Sequence, residues 1–263
     1  MRVKSAILSV LGLASPATCV ILYYHGVPAK DRLKFAQQMD EMVRSSTPIA
    51  CDNRGSLAPG KHYSAVTFDD GILSAVENAV PELVARKIPA TIFVVANLVG
   101  ARPDWATFGP QHDALDRVVS IDQLSKLPSD LITIGSHTLS HPWLPSLSES
   151  EARAELFGSR DKLAHLLQRN ITLFSFPYGA MNERLLQLCR DAGYERVFTI
   201  IPRLALLDAQ EFMTGRIAVN PTDWPIEFKL KLLGGYQWLP AVFKLKAKLL
   251  PRSPSPSYNA LGV

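Results

Sequence analysis

The chain has 263 residues, 47% of them hydrophobic and 20% charged, with a net charge of +4. That composition excludes a disordered or collagen-like chain, and no run of about 18 apolar residues marks a membrane-spanning helix. Cys19, Cys51 and Cys189 are an odd set without metal-type spacing, so they read as buried thiols rather than a disulfide framework.

Residues 1–17 join a basic start (Arg2, Lys4) to an apolar stretch over 6–14, the outline of a first helix or a signal-like segment. One α/β domain is expected over 18–225. Short runs rich in Val, Ile, Thr and Phe at 20–24, 65–68, 90–95, 131–134, 171–176 and 196–200 predict strands. Helical stretches at 33–44, 74–87, 148–168 and 181–192 lie between them. Ser148 with Glu151 three residues on is a helix-start signal, and Gly193 follows the end of the last of these helices. Strands alternating with helices predict parallel strands covered by helices, and six strands before residue 200 favour a barrel over an open sheet.

Charge is concentrated after this domain. From Ile226 to Arg252, six basic residues stand against Glu227 alone, a net +5 that leaves the rest of the chain at −1. Residues 226–252 read as a basic amphipathic C-terminal segment, whose lysines and aromatics suit peripheral contact with an anionic membrane; helices packed under the barrel are the alternative. The Ser/Pro-rich end, 253–263, reads as a disordered tail. A nucleic-acid-binding protein would carry a basic face with interleaved aromatics on its body; this one has none, so no nucleic-acid partner is expected.

Function in parallel α/β folds sits at the C-terminal ends of strands. Four predicted strand ends here carry a titratable or aromatic polar residue next to a glycine. They are His25-Gly26, Asp69-Asp70-Gly71, Gly135-Ser136-His137 (with His141 four residues on) and Tyr178-Gly179. His137 and His141 could share one metal from a helical turn or from a tight loop, the latter favoured by Pro142. Adjacent Asp69 and Asp70 should point to opposite sides and so divide two tasks, although an Asx turn capping the next helix would use the same residues. Taken together, two histidines and an aspartate make a three-ligand set with room for water. His62, His112 and His165 lie in polar surroundings and read as solvated.

These segments resemble the polysaccharide deacetylases of the NodB-homology type, carbohydrate esterase family 4. The matching stretches are Thr67-Phe68-Asp69-Asp70-Gly71, Ser136-His137-Thr138-Leu139-Ser140-His141-Pro142 and Phe176-Pro177-Tyr178-Gly179, in the family's order and spacing. The resemblance implies a distorted (β/α)7 barrel. It implies Asp70, His137 and His141 as ligands of a divalent metal, with zinc first and cobalt, nickel or iron compatible with the same set. Asp69 would be the general base and the Tyr178 backbone N–H an oxyanion donor. The family's late acid histidine is absent here, since no histidine follows His165. Leu22-Tyr23-Tyr24-His25-Gly26-Val27 resembles the opening of a permuted branch in which the last strand comes first, which assigns His25 as general acid. The arginine that often opens the third motif is replaced by Ser175, and Arg216 is the candidate to take over its task.

The implied activity is removal of N-acetyl groups from an amino-sugar poly- or oligosaccharide, a cell-envelope or exopolysaccharide glycan. Competing readings are a deformylase or other N-deacylase on a lipid-linked sugar, and a catalytically idle carbohydrate-binding protein. The expected location is the cell envelope, either membrane-peripheral on the cytoplasmic side or exported.

Overall fold

The computed structural model describes residues 15–103 and 116–238. The segment 1–14, most of the loop 100–116 and everything after 238 lie outside the described residues, and with them His112, most of the expected first helix or signal-like segment, and the tail.

Among the described residues, nine strands form one sheet: β1 (Thr18–Tyr24), β2 (Thr47–Pro48), β3 (His62–Phe68), β4 (Ala90–Val94), β5 (Ile132–Ser136), β6 (Leu173–Ser175), β7 (Arg196–Phe198), β8 (Met213–Thr214) and β9 (Ile217–Ala218). Every pairing between these strands is parallel. The order is β8-β7-β6-β5-β4-β3-β1-β9, with β2 paired beside β3. Its two ends, β8 and β9, are separated in sequence only by Gly215 and Arg216. The chain itself therefore joins the two edges of the curled sheet, and the expected α/β barrel is found.

The helices are α1 (Arg32–Ser45), α2 (Val80–Ala85), α3 (Ile121–Ser125), α4 (Glu149–Leu167), α5 (Glu183–Asp191) and α6 (Pro225–Leu232). The helix expected over 74–87 is interrupted: Ala75–Ala79 forms a π-helical turn before α2. Pro81 has no N–H to return to the preceding turn, which accounts for the break in the regular ladder. At α4, Ser148 and Glu151 form a reciprocal capping box.

The period-2 geometry of strands sorts side chains into two cores. On β1, Val20, Leu22 and Tyr24 face the helices, whereas Cys19 and Ile21 join Tyr63, Ala65, Phe93, Leu173 and Phe198 in a second, interior cluster. Both faces of the central strands are thus buried, and for this reason they read as continuous apolar runs. Phe93 fills the interior so tightly that a Cβ on Gly135 would come within 2.4 Å of its ring.

Beyond the interrupted helix, the structure departs from the sequence reading in its strands, in the unexpected α3 and at His62. Three strands, β2, β8 and β9, add to the six expected; each has only two residues and no periodic signal. His62 is not solvated. It opens β3 half-buried, with Thr18 Oγ1 2.8 Å from its Nδ1 and the Leu232 carbonyl 2.8 Å from its Nε2, and so links β1, β3 and α6. His165 is exposed on α4, and the three cysteines are buried and free.

Candidate metal centre

Strand alternation delivers the site. The inward positions of β1 continue to His25, those of β3 to Asp69, those of β5 to His137, and those of β6 end at Ser175. All strands run the same way, so these residues gather at one mouth of the barrel.

At the end of β3, Asp69 N–H donates to the Tyr24 carbonyl at 2.9 Å, and the chain then turns sharply: Asp70 has φ 68° and Gly71 φ 68°. Gly71 meets a second constraint, since a Cβ there would lie 3.1 Å from the Val94 side chain. The turn sends the two carboxylates apart. Asp69 points to Arg216, and Asp70 points to the histidines.

His137 and His141 are on a loop, not a helical turn. Thr138 (φ 69°) and His141 (φ 62°) both adopt the left-handed conformation, and His141 N–H donates to Thr138 Oγ1 at 2.9 Å. Glu155 of α4 holds this loop from outside, accepting from Leu139 N–H at 2.8 Å, Ser140 N–H at 3.0 Å and Ser140 Oγ at 2.6 Å. No sequence signal separated Glu155 from the other acids of that helix.

The ligand atoms of Asp70, His137 and His141 all lie within 4.8 Å of one another, and all three residues are buried. Asp70 Oδ1 is 3.3 Å from Nε2 of each histidine, yet it is a buried oxygen without a well-formed hydrogen bond. His137 Nδ1 lies 2.7 Å from the Ser175 carbonyl, an acceptor that fixes the Nδ1–H tautomer and turns the Nε2 lone pair toward Asp70. A carboxylate oxygen facing a nitrogen lone pair in a buried site calls for a positive charge between them. A divalent cation fits this donor set; in its absence a proton must serve.

Burial opposes ionisation of Asp70, but bonding to His137 and His141 outweighs it and holds the carboxyl well below the ordinary range. Burial also opposes the charged form of His137, yet the bond to Asp70 and the charges of Asp69 and Asp70 raise its pKa. For His141 burial prevails, and its pKa is lowered.

Arg216, between β8 and β9, is fully buried and uses all its N–H groups. Nη1 donates to Asp69 Oδ1 (2.8 Å) and Thr67 Oγ1 (3.0 Å), Nη2 to Asp69 Oδ2 (2.8 Å) and Ser175 Oγ (2.7 Å), and Nε to the Thr199 carbonyl (3.3 Å). Its guanidinium carbon lies 4.7 Å from the centre of the Tyr23 ring, with Phe93 and Phe198 farther out. Burial would raise the Asp69 pKa, but Arg216 and then His137 more than offset it, so the carboxyl sits below its usual value. The fork-to-fork pair fixes the direction of the Asp69 carboxylate.

Tyr178 occupies the turn Pro177–Gly179 with φ 58°, its ring 4.7 Å from that of His141 and 5.7 Å from that of Trp143. His25 is half-buried, its ring 5.8 Å from that of Tyr23, and it contributes to lowering the pKa of both Asp69 and Asp70. A cavity of about 600 Å³ lined by Arg54, Arg190, Tyr194, Glu195 and Phe212 opens at the other end of the barrel, where β7 begins, and has no part in this cluster.

A curled parallel sheet with two carboxylates and three histidines gathered at the C-terminal ends of its strands is the architecture of an α/β-barrel-type enzyme. The profile of the polysaccharide deacetylase family matches residues 57–197, more than half of the chain. The chain belongs to that family, hydrolases that release acetyl groups from N-acetylated glycans. YxkH of Bacillus subtilis (strain 168) is 24% identical over 217 residues, 78% of this chain and 73% of that one. The structure of IcaB from Ammonifex degensii superposes with a TM-score of 0.68 at 25% identity, covering 85% of this chain and 99% of IcaB. The Streptococcus pyogenes deacetylase PplD, solved with acetate, shares the fold at 20% identity and a TM-score of 0.62, over 84% of this chain and 98% of that one. The matched span contains Asp69, Asp70, His137, His141 and Tyr178, whereas His25 and Arg216 lie outside it.

Proposed function

We propose that this chain is a metal-dependent deacetylase that removes N-acetyl groups from an amino-sugar poly- or oligosaccharide of the cell envelope or an exopolysaccharide. The observation that carries the metal dependence is Asp70 Oδ1, buried and 3.3 Å from two imidazole nitrogens. Asp70, His137 and His141 would hold the cation, zinc being the best match to one carboxylate and two imidazoles. When bound, it supplies Lewis acidity toward water and the amide carbonyl.

The chain's own residues do the rest. Asp69, ionised and aimed by Arg216, takes the proton of the attacking water. The Tyr178 backbone N–H donates to the oxygen that gains charge as the carbonyl carbon becomes tetrahedral. His25, at the end of β1, returns a proton to the departing sugar amine. The amide C–N bond breaks, and acetate and a free amino sugar leave.

Acetate release from N-acetylglucosamine oligomers, with added zinc and with chelator, tests this reading beside Asp69→Asn and His25→Ala. Chelator-sensitive release that is lost in Asp69→Asn is expected. His25→Ala should lower turnover with metal content unchanged, and loss of the metal from that variant would remove His25 from the acid role. Release of formate from a formylated sugar, with no acetate from the acetylated one, would reassign the acyl group.

A further inference from the structure

Helix α4 meets the rest of the protein with two stripes, one apolar and one polar. Ala152, Leu156, Leu163 and Leu167 are buried and dock the helix. Beside them run Glu155, Gly158, Ser159 and Lys162, at i, i+3, i+4 and i+7, with no large apolar side chain among them. This second stripe is given over to the segment that carries His137 and His141. Ser159 Oγ accepts from Ser136 Oγ at 2.8 Å, just before the first histidine. Leu139 lies over Gly158, where a Cβ would come within 2.9 Å of its side chain. Glu155 takes the N–H groups of Leu139 and Ser140, and Lys162 Nζ donates to Asn97 Oδ1 at 2.8 Å.

The loop between the histidines needs such support. Thr138 and His141 are both left-handed, a conformation that costs any residue but glycine and is least suited to a β-branched one such as Thr138. It persists only where the surroundings over-determine it. On the β4 side, Ala96 N–H donates to the Thr138 carbonyl at 3.0 Å and Asn97 N–H to the Leu139 carbonyl at 2.9 Å. Those bonds hold the carbonyls of the loop. Its N–H groups converge instead on one anionic oxygen, Glu155 Oε2, while Oε1 accepts from Ser140 Oγ. Bonds to a carboxylate are the strong kind, and here three of them fall on the two residues that precede His141.

We propose that Glu155 is a positioning residue for the metal centre. From α4 it holds the turn that sets His141 beside His137 and Asp70, and so governs how tightly the cation is bound. It touches neither the cation nor the substrate. The proposal rests on Asp70, His137 and His141 being the metal ligands. A residue that merely fastened α4 to the barrel would move the unfolding transition and leave the metal affinity alone.

The test titrates zinc into the full-length, metal-stripped protein against a chromophoric chelator, and records the visible spectrum of its cobalt(II) form. Glu155→Ala should weaken zinc binding by about 10–100-fold, the usual effect of removing a group that orients a ligand, and should alter the cobalt spectrum. Glu155→Gln should restore most of the affinity, because its amide oxygen can accept from both N–H groups and its NH2 can donate to Ser140 Oγ. Ser140→Ala, which loses only the 2.6 Å bond, should show a smaller loss of the same sign. Ser148→Ala loosens the first turn of the same helix without touching the loop, and should bind zinc as tightly as the unaltered protein. Unchanged affinity and spectrum in Glu155→Ala would overturn the proposal. So would an equal loss in Ser148→Ala, which would reduce both effects to helix stability. Zinc bound equally well by Asp70→Asn, or not bound by the unaltered protein, would instead remove the ligand assignment, and the role of Glu155 with it.

Discussion

Replacing Arg216 by methionine keeps much of its length and removes the charge. Asp69 would then be a carboxylate only 4% exposed, without its counter-ion and without two charge-assisted bonds of 2.8 Å. Breaking one side of a buried pair costs roughly 3–5 kcal/mol, because the surviving charge is left uncompensated. Adding Asp69→Asn to that background removes the surviving charge. What then remains lost is neutral hydrogen bonding to Thr67, Ser175 and Thr199, net about 1 kcal/mol for each bond. The double variant should therefore be more stable than Arg216→Met alone by about 1 kcal/mol, the excess of the ionic penalty over the neutral one. Urea unfolding of the four proteins of the cycle measures this directly. The pH dependence gives a second check. In the unaltered protein the Asp69 pKa is lowered, so its stabilisation is complete above the unfolded carboxyl value and is lost as pH falls through the folded one. In Arg216→Met burial is opposed only by His137 and His25, so the pKa moves up and protonation relieves part of the penalty. The stability gap should be widest near neutrality and narrow as pH falls. A cycle additive to within about 0.5 kcal/mol, or a gap independent of pH, would refute the claim that Arg216 holds an ionised Asp69.

Further outcomes follow from the same coordinates. Arg216→Lys should shift the acid limb of the kcat/KM profile upward, because a single ammonium cannot reproduce the two-pronged contact that depresses Asp69. Gly135→Ala should cost about 1–3 kcal/mol in urea unfolding through the 2.4 Å approach to Phe93, and a neutral result would mean the interior can yield there. Ser148→Ala should cost about 1 kcal/mol through loss of the α4 capping box. Zinc at 100 times its Kd should stabilise the metal-free protein by about 2.7 kcal/mol, seen as a raised thermal midpoint, and Asp70→Asn should abolish that rise.

What was legible in the sequence follows from burial. Strands β1, β3 and β4 are covered on both faces, so their central residues are mostly apolar, with only small polar residues such as Ser64, Thr67 and Thr91 between them. The strand pattern also put Asp69, Asp70 and His137 at predicted C-terminal strand ends; which of them faces inward is a finding of the structure. The two-residue strands β8 and β9 gave no such signal, although they join the barrel's edges. His62 looked solvated because Lys61 and Gly60 precede it, and only the docking of α6 buries its ring. Glu155 was invisible for a related reason. Its three bonds to the Leu139–Ser140 loop depend on where α4 packs, and on the helix alone it is one acid among several.

Ser175 and Arg216 are best understood as one arrangement. In a curled parallel sheet every strand presents its C-terminal end on the same side, so an arginine from the link between β8 and β9 can reach a carboxylate at the end of β3. Placing it between β8 and β9 requires that the inward position on β6 be small. Ser175 is small, and its Oγ accepts from Arg216 Nη2 at 2.7 Å, in line with the bonds from Arg216 to Asp69. A larger side chain at 175 would occupy the volume the guanidinium now fills, and the buried cation would lose one of its acceptors. The serine that breaks the family pattern is thus the residue whose size lets Arg216 supply the missing positive charge. Ser175→Ala should keep that room and weaken one bond; Ser175→Leu should displace Arg216 and reproduce the pH-dependent instability of Arg216→Met. If Ser175→Leu left the Asp69 titration unchanged, the two positions would be independent and the compensation argument would fall.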